Sequence, residues 1–258
     1  MNRVKRFRLD SEGIPLACAL FTPGDAGPFP GLVICHGMPA GSPSILNAQP
    51  GHDGLDYPAL ADLCASEGFA TAIFNFRGTG ESGGNFHPLG WAQDLGTMLS
   101  WMHENPQVDG DLIAVLGSSL GAAISIYVTA HRPEVAGLVT FASPAVLEPR
   151  AQPAKAVDTL RKLGVIRDPD FPSSLEAWNS EYAELNPLDW ISRVAPRPLL
   201  ILQGDADDVV APPNGRNLFD MAGEPKEIKL LPGVGHRFRN EPVAVSTALE
   251  WLKVELLP

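Results

Sequence analysis

The alternation of apolar and polar positions changes period repeatedly along the 258-residue chain, and each change marks an element. Val4 to Leu9 and Pro15 to Phe21 read as strands either side of the turn signal Asp10-Ser11-Glu12-Gly13. Gly31 to Cys35 is apolar throughout, as suits a strand covered on both faces. Tyr57 to Ser66 reads as a helix with Pro58 early in it and Gly68 beyond it, and Phe69 to Phe76 as a strand. Trp91, Leu95, Met98, Leu99 and Met102 then share one helical face. The strand Leu112 to Leu116 feeds an Ala-rich helix, Leu120 to Ala130, and Val135 to Phe141 is the next strand. Pro198 to Leu202 and Glu227 to Leu231 are further strands, separated by a helix near Asn214 to Met221, and a helix over Val243 to Leu252 follows.

Strands alternating with helices of this length imply right-handed crossovers. The expected fold is α/β: a mostly parallel sheet of about eight strands with helices on both faces, the opening pair forming an antiparallel edge. One stretch breaks the alternation. From Ser143 to Pro196 no strand is convincing, and Pro144, Pro149, Pro153, Pro169, Pro172 and Pro187 interrupt the chain. Two amphipathic segments, Ala154 to Leu163 and Ser174 to Leu185, make this a small helical cap over about 144–196, inserted into a single domain spanning 1–258.

Composition narrows the chemistry. Apolar residues make up 45% and charged residues 19%, ordinary for a globular protein. Lys plus Arg number 19 against 30 Asp plus Glu, a net charge of −11, which opposes binding to a phosphate backbone. Nucleic acid is therefore not an expected partner. Cys18, Cys35 and Cys64 are odd in number and lack metal-ligand spacing, so neither a disulfide framework nor a metal is expected. No apolar run reaches bilayer length, and Met1 to Arg6 leads into strand-like sequence without an apolar signal core. A cytoplasmic protein that does not bind membranes is the expectation.

Gly-x-Ser-x-Gly occurs twice, as Gly80-Glu81-Ser82-Gly83-Gly84 and Gly117-Ser118-Ser119-Leu120-Gly121. A nucleophile elbow needs a strand running straight into a helix. Ile113 to Leu116 leads directly to Ser119, and Leu120 to Ile124 continues as helix, whereas Ser82 is followed by Gly83, Gly84 and Pro88. Ser119 is the candidate nucleophile. The first loop also spells a dinucleotide fingerprint, Gly78-Thr79-Gly80-Glu81-Ser82-Gly83, but that motif must open a helix, and here none is predicted before about Gly90. A glycine-rich strand-to-helix connection is the better reading.

A serine hydroxyl needs an adjacent base that a third group orients. His36 ends a strand, His52 lies in a polar loop, His87 follows the decoy, and His103 and His131 sit near helix C-termini. Only His236, in Pro232-Gly233-Val234-Gly235-His236, lies downstream between the last strand and the last helix. The strand ending at Leu202 is followed by Asp205, Asp207 and Asp208, and chain position does not choose among them. Oxyanion stabilisation calls for backbone N–H groups from the residue after the nucleophile, Leu120, and from the loop His36-Gly37-Met38-Pro39. Proline has no N–H, so Met38 is the second candidate.

Taken together, His36-Gly37, Asn75-Phe76-Arg77-Gly78-Thr79-Gly80-Glu81-Ser82, Gly117 to Gly121, Gly204-Asp205-Ala206-Asp207-Asp208-Val209-Val210 and Gly235-His236 resemble the α/β-hydrolase superfamily over nearly the whole chain. The likeness is to the serine-esterase, serine-aminopeptidase and prolyl-oligopeptidase-like branches. That family's Gly-x-x-Asp-x-x-Val pattern places the acid on Asp207. Two departures are Ser118, where many members carry His, and Ala211, where proline is common; the loop from Ala40 to Leu55 is long. The resemblance implies a cofactor-free serine hydrolase of small or medium soluble carboxylic esters, acting through an acyl-enzyme with Ser119, Asp207 and His236. A peptidase or amidase of the serine aminopeptidase type, a non-catalytic ligand-binding protein and a nicotinamide enzyme are the rival classes. Phe171, Trp178 and Tyr182, in the cap, are candidates to line the substrate pocket, or else pack the cap on the core. Arg77 would anchor a substrate carboxylate or tie down its own loop.

Overall fold

The computed structural model describes residues 3–39, 44–48 and 54–257, so His52 and most of the loop from Ala40 to Leu55 lie outside the described residues. The first half runs β1 (Arg3–Ser11), β2 (Ile14–Thr22), β3 (Phe29–Cys35), α1 (Tyr57–Ser66), β4 (Ala70–Phe74), α2 (Pro88–Glu104), β5 (Val108–Ser118), α3 (Leu120–His131) and β6 (Val135–Phe141). Between β6 and β7 come α4 (Pro153–Lys162), α5 (Leu175–Glu184), α6 (Pro187–Trp190) and a 3-10 turn, Ile191–Val194. The chain continues with β7 (Leu199–Gly204), α7 (Pro213–Met221), β8 (Lys226–Leu231), a 3-10 turn (Phe238–Asn240) and α8 (Pro242–Leu256).

Eight strands form one sheet in the order β1-β2-β4-β3-β5-β6-β7-β8. β1 and β2 are antiparallel and form one edge, and from β4 to β8 all neighbours are parallel. The sheet is covered on both faces, which explains the unbroken apolar run of β3. Val33 and Cys35 face the core beneath α2, α3 and the cap, while Leu32 and Ile34 face the core beneath α1 and α8. Local signals set the helix starts. Asp56 accepts the Ala59 N–H at 2.8 Å to cap α1, with Pro58 in the first turn.

Two elements differ from the sequence pattern. β5 extends back to Val108, because Val108 and Asp109 pair with Phe29 and Pro30 before a register shift; the polar residues there mask the strand. α2 starts at Pro88 rather than near Gly90, since proline is favourable in a first turn.

After β3 the chain turns to one side and pairs as β4, then crosses to the other side as β5. The loops leaving the C-terminal ends of β3 and β5 therefore flank a switch point, where open α/β sheets form their crevices. Register places Cys35 beside Gly117 there.

Candidate active site

Ser119 sits between β5 and α3 with φ 54° and ψ −126°, a conformation that side chains disfavour. Three glycines allow it. A Cβ on Gly117 would meet Ala122 Cα at 2.6 Å, one on Gly121 would meet the His36 carbonyl oxygen at 2.3 Å, and one on Gly37 would meet Ser119 Cβ at 2.8 Å. The turn is anchored by the Ser119 N–H, which donates to the Phe141 carbonyl of neighbouring β6 at 2.9 Å. The hydroxyl does not cap α3, and among the described residues it makes no hydrogen bond. The other serine of the same spelling is different. Ser82 is buried, donates to the Asn75 carbonyl at 2.5 Å and accepts the Ala17 N–H at 2.9 Å. Its hydroxyl is a fastener between β2 and the loop after β4.

At the same end of the sheet, β7 and β8 bring the acid and histidine segments together. The side chain of Asp207 is wholly buried, and His236 Nδ1 donates to its Oδ2 at 2.9 Å, with Oδ1 at 3.1 Å. Oδ1 also accepts the N–H groups of Val209 at 2.9 Å and Val210 at 2.8 Å. With the Gln203 amide also donating to Oδ2 at 3.4 Å, four donors hold one carboxylate in a fixed orientation, and the carboxylate in turn fixes the imidazole with Nε2 left over. No hydrogen bond joins Ser119 to His236 among the described residues; in unliganded sites such contacts are commonly long.

The neighbouring carboxylates have other places. Asp205 accepts the Gly233 N–H at 2.6 Å and so braces the turn before His236, and Asp208 is exposed. Sequence reasoning missed this brace, and it missed Gln203, whose buried amide donates to the Val210 carbonyl at 3.1 Å. An aspartate directly after the glycine that ends β7 was the available signal.

The N–H groups of Met38 and Leu120 donate to no protein group among the described residues. Leu120 is the first residue of α3, where an N–H has no intrahelical partner. Beneath this loop His36 is 1% exposed, its Nδ1 lies 2.7 Å from the Gly37 carbonyl, and burial pushes its pKa down to about 4. Burial likewise pushes the thiols of Cys18, Cys35 and Cys64 up to about 12, so none is a thiolate at neutral pH.

Arg77 ties down its own loop. Its guanidinium donates to Asp94 Oδ1 from Nη2 at 2.7 Å and from Nε at 3.0 Å, and its backbone N–H reaches Oδ2 at 2.8 Å. Both side chains are buried, 7% and 0% exposed. Arg77 also donates from Nη1 to His87 Nε2 at 3.2 Å, and His87 Nδ1 lies 3.0 Å from Glu181 of α5, which links the core to the cap. The fingerprint-like loop opens no helix, since α2 begins only at Pro88.

His103 and His131 contact the Gly110 and Tyr127 carbonyls near helix ends. Trp178 and Tyr182 are each 2% exposed and stack edge-on at 5.3 Å, while Phe171 is partly buried against the same core. Trp178 and Tyr182 pack into the core cluster on that face of the sheet. Cavities of about 540 and 590 Å³ lie between α1 and α8 and between α2 and α3, and neither is lined by Ser119, Asp207 or His236. Among the described residues no cluster of His, Cys, Asp and Glu would hold a metal, and no helix is long and apolar enough to cross a membrane.

Residues 56–256 match the model of the prolyl oligopeptidase family. The uncharacterised protein Rv2307c of Mycobacterium tuberculosis is 28% identical over 233 residues, 90% of this chain and 70% of that protein. The Pyrococcus furiosus esterase Pf2001 superposes with a TM-score of 0.70 at 19% identity, over 98% of this chain and 91% of that one. The acylaminoacyl peptidase of Pyrococcus horikoshii superposes with a TM-score of 0.73 at 17% identity, over 99% of this chain but 42% of that one.

Proposed function

The chain belongs to the prolyl oligopeptidase family of the α/β-hydrolase superfamily, and from that premise we propose that it hydrolyses carboxylic esters of small or medium soluble substrates through an acyl-enzyme on Ser119. The observation that carries this reading is the pairing of half-buried His236 with the buried Asp207 carboxylate at the same sheet end as a strained serine whose hydroxyl makes no hydrogen bond among the described residues. In the proposed reaction Ser119 Oγ attacks the carbonyl carbon while His236 Nε2 takes its proton. The carboxylate of Asp207 stabilises the imidazolium that forms. The N–H groups of Met38 and Leu120 receive the oxyanion, collapse releases the alcohol with the proton returned from His236, and water repeats the sequence on the acyl-enzyme. Each step uses protein groups and water alone.

The likeness to the esterase Pf2001 supports the ester reading. The family match favours the second reading, an amidase or aminopeptidase. A fluorophosphonate probe tests the nucleophile. Labelling is expected in the wild type and lost in Ser119→Ala; folded wild type that stays unlabelled, or a variant that labels equally, overturns the reading. p-Nitrophenyl esters and aminoacyl p-nitroanilides assayed side by side separate the two substrate classes.

A further inference from the structure

His36 is a buried polar side chain with no part in the proton transfers above. Its ring is walled edge-on by Tyr57, Phe76 and Trp91, with centroids 6.2, 5.1 and 5.3 Å away. Three contacts bear on its protonation, one of them the Thr79 hydroxyl, which lies 3.4 Å from Nε2 and gives its own proton to the Phe76 carbonyl at 2.7 Å. Nδ1 lies 2.7 Å from the Gly37 carbonyl oxygen, which only accepts, and the Phe76 N–H, which only donates, points at Nε2 at 3.4 Å. The Gly37 carbonyl calls for a proton on Nδ1 and the Phe76 N–H for a bare Nε2, which is the neutral ring protonated on Nδ1. The depressed pKa, about 4, follows from the same burial.

The Gly37 carbonyl belongs to the peptide unit that carries the Met38 N–H. A trans peptide is planar, so anchoring the oxygen also sets the direction of the N–H. That unit lies against the nucleophile: a Cβ on Gly37 would be 2.8 Å from Ser119 Cβ and 3.4 Å from Ser119 Oγ. A loop peptide without such an anchor is free to rotate, and a rotated peptide turns its carbonyl, not its N–H, toward developing negative charge.

We propose that His36 is a positioning residue for the oxyanion pocket, its Nδ1–H gripping the Gly37 carbonyl so that the Met38 N–H is held toward Ser119. The proposal rests on the serine-hydrolase reading and adds to it the group that aims one of the two donors. Because a preformed donor matters most when charge develops, loss of the grip falls on kcat and spares KM.

Two polar variants isolate the grip. The amide nitrogen of His36→Asn reaches the place of Nδ1, and that of His36→Gln the place of Nε2. With p-nitrophenyl butyrate, His36→Gln is expected to lower kcat about 30-fold with KM nearly unchanged, within the loss typical of an impaired oxyanion donor, and His36→Asn to stay within about 3-fold of wild type. Inhibition by an alkyl boronic acid, whose serine adduct places a charged oxygen in the pocket, should weaken in step with kcat. Equal losses in both variants that track their thermal midpoints would make His36 a packing residue and overturn the proposal. Imidazole 15N shifts of the wild type provide a variant-free check: a proton on Nε2 at neutral pH also overturns it. If wild type and Ser119→Ala turn over the ester equally, the serine-hydrolase reading falls and this one with it. If only Ser119→Ala is dead while His36→Gln matches wild type, this one falls alone.

Discussion

A methyl group on Gly204 would lie 2.0 Å from the carbonyl oxygen of Val234, so the end of β7 and the loop before His236 touch backbone to backbone. The Ala206 N–H donates to the same oxygen at 3.1 Å, and the Asp205 side chain receives the Gly233 N–H at 2.6 Å. This seam sets the spacing between Asp207 and His236. Gly204→Ala is expected to push the histidine loop outward and lower kcat/KM by about 100-fold, the scale of a displacement of about 1 Å. Steady-state ester hydrolysis together with the 1H resonance of the His236 Nδ1 proton checks it; unchanged turnover would show that the seam does not hold the pair.

The backbone of Ser119 offers a separation of stability from activity. At φ 54° and ψ −126° a side chain is strained and glycine is not. Ser119→Gly and Ser119→Ala should both abolish turnover, with the glycine variant more stable to urea by about 1 kcal/mol, the strain relieved less glycine's larger unfolded entropy. Equal urea midpoints would show that the turn stores no such strain.

His36 couples folding to acid. Its folded pKa of about 4 lies below the ordinary histidine value of 6.5, so the unfolded chain binds the proton first. The contribution is fully present above about pH 6.5 and is lost as pH falls toward 4, amounting to about 3 kcal/mol over that window. Urea unfolding from pH 7 to 4 should show this slope in wild type and a shallower one in His36→Asn. Parallel profiles would refute it.

Asp94 is fully buried against Arg77, and removing one partner leaves the other charge without compensation. Asp94→Ala is expected to cost roughly 3–5 kcal/mol, and the double replacement Arg77→Met with Asp94→Leu distinctly less. Chemical denaturation of the three proteins measures both, and a double variant no more stable than Asp94→Ala would contradict the pairing.

Much of this molecule is legible without coordinates. The strand Val135 to Phe141 is found where its period places it, and α5 is within a residue of the segment Ser174 to Leu185. The two Gly-x-Ser-x-Gly segments separate on local context alone, because a strand entering a helix is a short-range pattern. Contacts between distant side chains are less legible. Phe171, Trp178 and Tyr182 look equally suited to a pocket or to packing, and only burial shows that Trp178 and Tyr182 have their surfaces against the core. The latch from Arg77 through His87 to Glu181 spans the core and the cap, and no periodicity announces it.

The sequence by itself determined the order of strands and helices and the tight turn that strains Ser119, because residue period and glycine spacing act within a few positions of one another. Spacing left three nearby aspartates open and only the family pattern pointed to Asp207; the tertiary structure shows the physical ground, with Asp207 facing His236 across 29 positions of chain while Asp205 braces the loop beside it. That choice depends on which carboxylate turns inward once β7 and β8 lie side by side, and no energy favours any of the three until the sheet has brought the two loops together.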